Sequence, residues 1–105
     1  MAEQAPYRVD VWDLDEFFRV LATFPLSQQE RVTEFMANHF ATRPKAMIPG
    51  VLKALRGPWS GTYQLECGGG RRLLYEIDEI ERAVRIVYLG SHPEWERRRP
   101  WTTGR

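Results

Sequence analysis

Thr62-Tyr63-Gln64-Leu65-Glu66-Cys67, Gly68-Gly69-Gly70 and Arg71-Arg72-Leu73-Leu74-Tyr75-Glu76-Ile77 read as strand, turn and returning strand. The first run alternates strictly, so Tyr63, Leu65 and Cys67 share one face and Gln64 and Glu66 the other. Leu73, Tyr75 and Ile77 continue the apolar face in the second run, leaving Arg72, Leu74 and Glu76 opposite. Three glycines between the runs supply a hairpin turn. Asp78–Arg82 is polar enough to turn the chain again, and Ala83–Leu89 is the β-branched, apolar pattern of a third strand.

Upstream the period changes. Tyr7–Trp12 alternates as a half-buried strand, and Asp13 stands where a helix cap is needed. Leu14, Phe17, Phe18 and Leu21 follow at helical spacing until Phe24-Pro25. Ser27-Gln28-Gln29-Glu30 has the form of a capping box, with Leu26 before it as a hydrophobic staple. Val32, Phe35, Met36, His39 and Phe40 then make one apolar stripe that Pro44 stops, which gives His39 a packing role. Residues 44–61, with three prolines and three glycines, read as a connection with a short helical piece near Val51–Leu55. The expected fold is α+β in the order β-α-α-β-β-β, with two helices packed on one face of a small, mainly antiparallel four-stranded sheet. The other face is left for function.

At 105 residues the chain has room for one domain, here 1–105, with a core over about 7–92 and a basic tail over 93–105. An apolar fraction of 43% with 28% charged residues excludes general disorder. Cys67, the single cysteine, cannot form an internal disulfide and fits a reducing cytosol. Met1–Pro6 lacks a signal-peptide pattern and the longest apolar runs are too short to span a bilayer, so the expectation is a cytoplasmic protein with no membrane partner. Residues 1–42 carry three arginines against seven acids, and residues 43–105 twelve basic residues against seven acids. Either one end of the molecule meets an anionic partner, or these are solvated charges.

Three stretches carry a family resemblance: Leu55-Arg56-Gly57-Pro58-Trp59-Ser60-Gly61-Thr62-Tyr63-Gln64-Leu65, Gly70-Arg71-Arg72-Leu73-Leu74-Tyr75-Glu76-Ile77-Asp78, and Val84-Arg85-Ile86-Val87-Tyr88-Leu89-Gly90-Ser91-His92. Their order and spacing resemble the central strands of RelE/ParE family toxins, and the β-α-α order upstream agrees. The resemblance implies the toxin half of a bacterial type II toxin–antitoxin system, with a cognate antitoxin as partner. RelE-like members cleave mRNA in the ribosomal A site without a metal, so ribosome and mRNA are the implied partners. ParE-like members poison DNA gyrase on the same fold, and a homologue that only binds antitoxin and operator DNA is a third reading.

Metal-free RNA cleavage needs a base for the 2′-OH, positive charge at the phosphate and an acid for the leaving oxygen. The resemblance gives Arg72 the family's phosphate-contacting position, where the alternative is an ordinary ion pair with Glu66 or Glu76. His92 falls where family members place an Arg or His near the scissile phosphate, which makes it a candidate general acid or base; otherwise it is an exposed loop histidine. Gln64 and Glu66 stand where the family has lysines. Gln64 and Glu66 cannot neutralise a phosphate, but Gln64 is a candidate RNA contact and Glu66 has the residue type of a general base. No tyrosine follows His92; Trp95 supplies a stacking ring there without a proton to give. Lys53 and Arg56 are candidates for RNA-backbone contact, or a solvated face. Arg97, Arg98 and Arg99 form a basic run for phosphate or an acidic antitoxin segment, or a plain solvated tail. Cys67 reads as a small buried hydrophobe, the glycine turn lacks the Lys-Ser/Thr of a P-loop, and no Cys/His cluster calls for a metal or cofactor.

Overall fold

The computed structural model describes residues 6–91. His92, Trp95, Arg97, Arg98 and the rest of the basic tail lie outside them.

Strand β1 (Arg8–Val11) leads into helix α1 (Leu14–Leu21), and α2 (Leu26–Glu34) runs through a wider π-helical turn, Phe35–His39, into α3 (Phe40–Thr42). The remaining strands are β2 (Leu52–Ala54), β3 (Thr62–Gly68), β4 (Arg71–Asp78) and β5 (Ala83–Ser91), with a 3₁₀ turn at Gly57–Trp59. The sheet order is β1-β5-β4-β3-β2. β1 runs parallel to β5, and every other pair is antiparallel.

The sheet therefore has five strands, one pair of them parallel, instead of the expected four. The missing strand is β2, where a short helical piece was expected. Leu52-Lys53-Ala54 has no local strand pattern and is extended because it pairs with Tyr63–Leu65, Leu52 opposite Leu65. The helices carry the chain from the β1 edge to the β2 edge, and a β2-β3-β4-β5 meander fills the space between. That route makes the first and last strands parallel neighbours.

Asp13 caps α1 as its position requires, its Oδ1 accepting from the Glu16 amide at 2.9 Å. The capping box at Ser27 does not form. α2 starts two residues earlier, with Pro25 as its cap and the Gln28 and Gln29 amides donating to the Pro25 carbonyl. Ser27 is already inside the first turn, and Leu26 is 69% exposed and staples nothing. Pro44 does stop the helix, and its buried carbonyl accepts from the Tyr75 hydroxyl at 2.8 Å.

The strand parity read from sequence holds on the helix side. Leu65, Cys67, Leu73, Tyr75, Val84 and Ile86 pack with Phe17, Leu21, Val32 and Phe40 in one core. Tyr63 stacks on Tyr75 with centroids 5.3 Å apart, and Phe40 closes on Tyr75 at 4.4 Å. His39 packs between Phe35 and Phe40, its Nε2 2.8 Å from the Ala46 carbonyl oxygen.

The far face is not wholly free. Leu74 and Val87 are buried there in a second small cluster with Leu55, Trp59 and Tyr88. A bulge makes this possible: Leu74 lies opposite Tyr88 and Tyr75 opposite Ile86, so Val87 is the extra residue. The bulge turns both Val87 and Tyr88 away from the main core.

Candidate functional site

Beside that second cluster, Lys53, Gln64, Glu66 and Arg72 line a pocket of about 160 Å³ together with the Gly50-Val51 turn and Leu52. Strand register brings them together. Lys53 lies opposite Gln64 across β2 and β3, and Glu66 lies opposite Arg72 across β3 and β4. Residues opposite one another in a sheet share a face, so four of the residues singled out in the sequence converge.

Glu66 is the most firmly held of them. Its amide donates to the Val51 carbonyl at 2.8 Å, and its own carbonyl accepts from Arg31 Nη1 at 2.8 Å. A bulge between Glu66 and Gly68 turns the Gly68 amide toward the carboxylate, where it donates to Oε2 at 3.2 Å. The other carboxylate oxygen, Oε1, stands 2.7 Å from Arg72 Nη1.

Arg72 is tethered but unsatisfied. Its Nη1 lies 2.7 Å from Glu66 Oε1, yet among the described residues neither Nε nor Nη1 makes a hydrogen bond of regular geometry, and both are shielded from solvent. The two observations agree if the guanidinium is held by charge while its N–H bonds aim elsewhere. Shielded donors without acceptors carry a desolvation cost, which the 2.7 Å contact with Glu66 offsets in part. Lys53 is exposed and makes no ion pair among the described residues. The pocket thus carries two cations against one carboxylate. Gln64 is 6% exposed and presents no charge. Arg56 is exposed just after β2, outside the pocket lining.

Tyr88 is a neighbour of this site that sequence reasoning missed. It sits opposite Leu74, its hydroxyl donating to the Ser91 carbonyl at 2.9 Å. Its ring lies over Gly90, the residue opposite Arg72: a Cβ there would stand 2.6 Å from the Tyr88 hydroxyl. Strict alternation from Val84 and Ile86 assigns Tyr88 to the core side, and only the bulge brings it here. On the helix side, burial pushes the Cys67 thiol up to about 12, so it remains a neutral small hydrophobe with no part in the site. Among the described residues no group of His, Cys, Asp and Glu has the arrangement of a metal site. No helix there is long and apolar enough to cross a membrane.

No protein-family model and no curated protein sequence matches the chain. Solved structures do. The toxin–antitoxin complex RelBE2 of Mycobacterium tuberculosis matches 88% of this chain and 98% of its own at 27% identity, with a TM-score of 0.61. The YoeB/ParE toxin of Agrobacterium tumefaciens matches 81% of this chain and 98% of its own at 15% identity, with a TM-score of 0.63. The archaeal RelE–RelB complex of Pyrococcus horikoshii matches 81% and 93% at 19% identity, with a TM-score of 0.56. The likeness spans nearly the whole of each of these chains, and the structural neighbours of this protein are RelE/ParE-type toxins, whose fold it shares.

Proposed function

We propose that this chain is the toxin of a type II toxin–antitoxin pair and that the far-face pocket cleaves RNA without a metal. The observation that carries this reading is Arg72. Its charged fork is tethered by Glu66 while its shielded Nε and Nη1 make no regular hydrogen bond among the described residues, beside Lys53, which makes no ion pair among them. A phosphodiester supplies the missing oxygens.

In the proposed reaction Arg72 and Lys53 receive the non-bridging oxygens, and Glu66 accepts the proton of the 2′-OH. The 2′-oxygen attacks phosphorus, the bond to the 5′-oxygen breaks, and that oxygen takes up a proton. The products are a 2′,3′-cyclic phosphate and a 5′-hydroxyl. Charge on the phosphate grows during attack, so a fixed guanidinium stabilises the transition state more than the ground state. His92, which follows Ser91 in sequence, is the proposed proton donor, and Trp95, Arg97 and Arg98 are proposed RNA contacts. Ribosome-bound message is the proposed substrate and a cognate antitoxin the proposed restraint. Both of the described toxin–antitoxin neighbours, RelBE2 and RelE–RelB, are such complexes.

Induced expression in a bacterial host tests the reading. Translation is expected to stop, with new message ends inside reading frames by primer extension and DNA left intact. Gyrase-linked DNA breaks with uncut message would overturn the proposal.

A further inference from the structure

Glu66 is held from helix α2 as well as from the pocket. β2 pairs with β3 no further than Leu52, opposite Leu65. The next carbonyl of β3, that of Glu66, takes its donor from a side chain: Arg31 Nη1 of α2, 35 residues earlier in the chain, at 2.8 Å. A charged donor makes this a stronger bond than a neutral amide would. Arg31 is exposed and makes no ion pair among the described residues, so the Glu66 carbonyl is its one hydrogen-bond partner there.

Gln28 lies one turn before Arg31 on the same side of α2 and braces the residues that follow Glu66. Its amide group packs on the glycine turn: a Cβ on Gly68 would stand 3.1 Å from Gln28 Nε2, and one on Gly69 3.3 Å from it. Gln28 Oε1 accepts from Arg71 Nη1 at 3.5 Å, and the Arg71 guanidinium lies 5.3 Å from the centre of the Phe24 ring. Cys67, between Glu66 and Gly68, is buried in the main core. The bulge is thus fixed at each of its residues, Glu66 by Arg31, Cys67 by the core and Gly68 by Gln28. What it delivers is the Gly68 amide aimed at Glu66 Oε2, at 3.2 Å.

We propose that Arg31 is a positioning residue for Glu66, fixing through the bulge the carboxylate that takes the 2′-OH proton. The inference rests on the reading of Glu66 as the base. Glu66 Oε1 is shared with Arg72, which in the proposed reaction also receives the phosphate. The Gly68 amide is the contact that keeps the carboxylate aimed while Arg72 is so engaged. That amide keeps its direction only while the peptide groups on either side of Cys67 keep theirs. Arg31 fixes the first of them, since the Glu66 carbonyl belongs to the peptide joining Glu66 to Cys67. A base acts only within hydrogen-bond reach of its proton, and a shift of about 1 Å can cost about 100-fold in rate.

The test compares the full chain with Arg31→Gln, Glu66→Gln, the double variant and Arg19→Gln, an α1 control for lost surface charge. Cleavage of ribosome-bound message gives kcat and KM, and amide hydrogen exchange reports on Gly68. Arg31→Gln is expected to lower kcat about 10- to 100-fold with KM within about twofold. It is expected to melt within about 4 °C of wild type, as an exposed substitution does, while its Gly68 amide exchanges about tenfold faster. In the Glu66→Gln background Arg31→Gln is expected to have no further effect on rate, because both changes act at one carboxylate. Arg19→Gln is expected to behave as wild type throughout. Losses that multiply in the double variant mean that Arg31 acts elsewhere and overturn the proposal. So does an unchanged Gly68 amide, or a loss confined to KM, which makes Arg31 an RNA contact. A wild-type kcat in Arg31→Gln beside an impaired Glu66→Gln overturns the inference and leaves the far-face reading intact. A wild-type rate in Glu66→Gln, or no cleavage by the unaltered chain, overturns the reading of Glu66 and the inference with it.

Discussion

Arg72 and Leu73 are adjacent in β4 and face opposite ways, so truncating each in turn separates chemistry from packing. Among the described residues Arg72 makes one ion pair, with Glu66 at 2.7 Å, and its side chain is 20% exposed. Arg72→Ala removes a partly solvated ion pair, for which about 0.2–1 kcal/mol is the usual range. Glu66 keeps the Gly68 amide and access to water, which holds the cost at that level. In a domain of this size that lowers the melting temperature by no more than about 8 °C. Leu73 is 0% exposed in the main core, and Leu73→Ala leaves a cavity costing about 2–5 kcal/mol. Its melting point is expected to fall well beyond that of Arg72→Ala.

Cleavage should reverse the order. Loss of one preorganised donor to a developing oxyanion costs about 2.7–4 kcal/mol, roughly 100- to 1,000-fold in rate. Single-turnover cleavage of ribosome-bound message, measured well below both melting points, is expected to show that loss for Arg72→Ala and a rate near wild type for Leu73→Ala. If Arg72→Ala cleaves within about threefold of wild type, the guanidinium is a structural ion-pair partner and the site assignment is wrong. If Leu73→Ala melts with wild type, the division of the sheet into a packed and a working face fails instead.

The Cys67 thiol, ordinarily near 9.0 and raised to about 12 by burial, stays protonated in the folded protein where the unfolded chain has already lost its proton. Its contribution to stability is therefore complete below about pH 9 and declines as pH rises toward 12, with a slope approaching about 1.4 kcal/mol per pH unit. Urea unfolding from pH 8 to 10, compared with Cys67→Ala, checks this; equal pH dependence in the two proteins contradicts it. Gly90→Ala puts a methyl group where the Tyr88 ring lies, 2.6 Å from the hydroxyl oxygen, and forces the ring from its bond to Ser91. A loss of about 1–3 kcal/mol is expected on chemical denaturation, and a variant as stable as wild type would mean that the ring moves without cost.

What the sequence made legible follows from the range over which each feature is decided. The β3-turn-β4 hairpin, the Asp13 cap and the stop before Pro44 are written in adjacent residues, and each appears as read. β2 was illegible because Leu52-Lys53-Ala54 is a strand only by virtue of its partner ten or so residues on. The Ser27 box failed for a subtler local reason: Pro25 offers its carbonyl two residues earlier, and the helix takes the first start available. The site divides in the same way. Lys53, Gln64, Glu66 and Arg72 could be singled out by residue type and parity, but their meeting depends on β2 joining the sheet. Tyr88 could not be found at all, since a single extra residue at Val87 reverses the face on which it stands. Both bulges flank the Arg72 position, one turning Gly68 toward Glu66 and the other turning Tyr88 over Gly90. A regular sheet would bury Tyr88 in the helix-side core and leave Glu66 without its amide donor. The irregularities that a period-2 reading cannot foresee thus set the surroundings of Glu66 and Arg72.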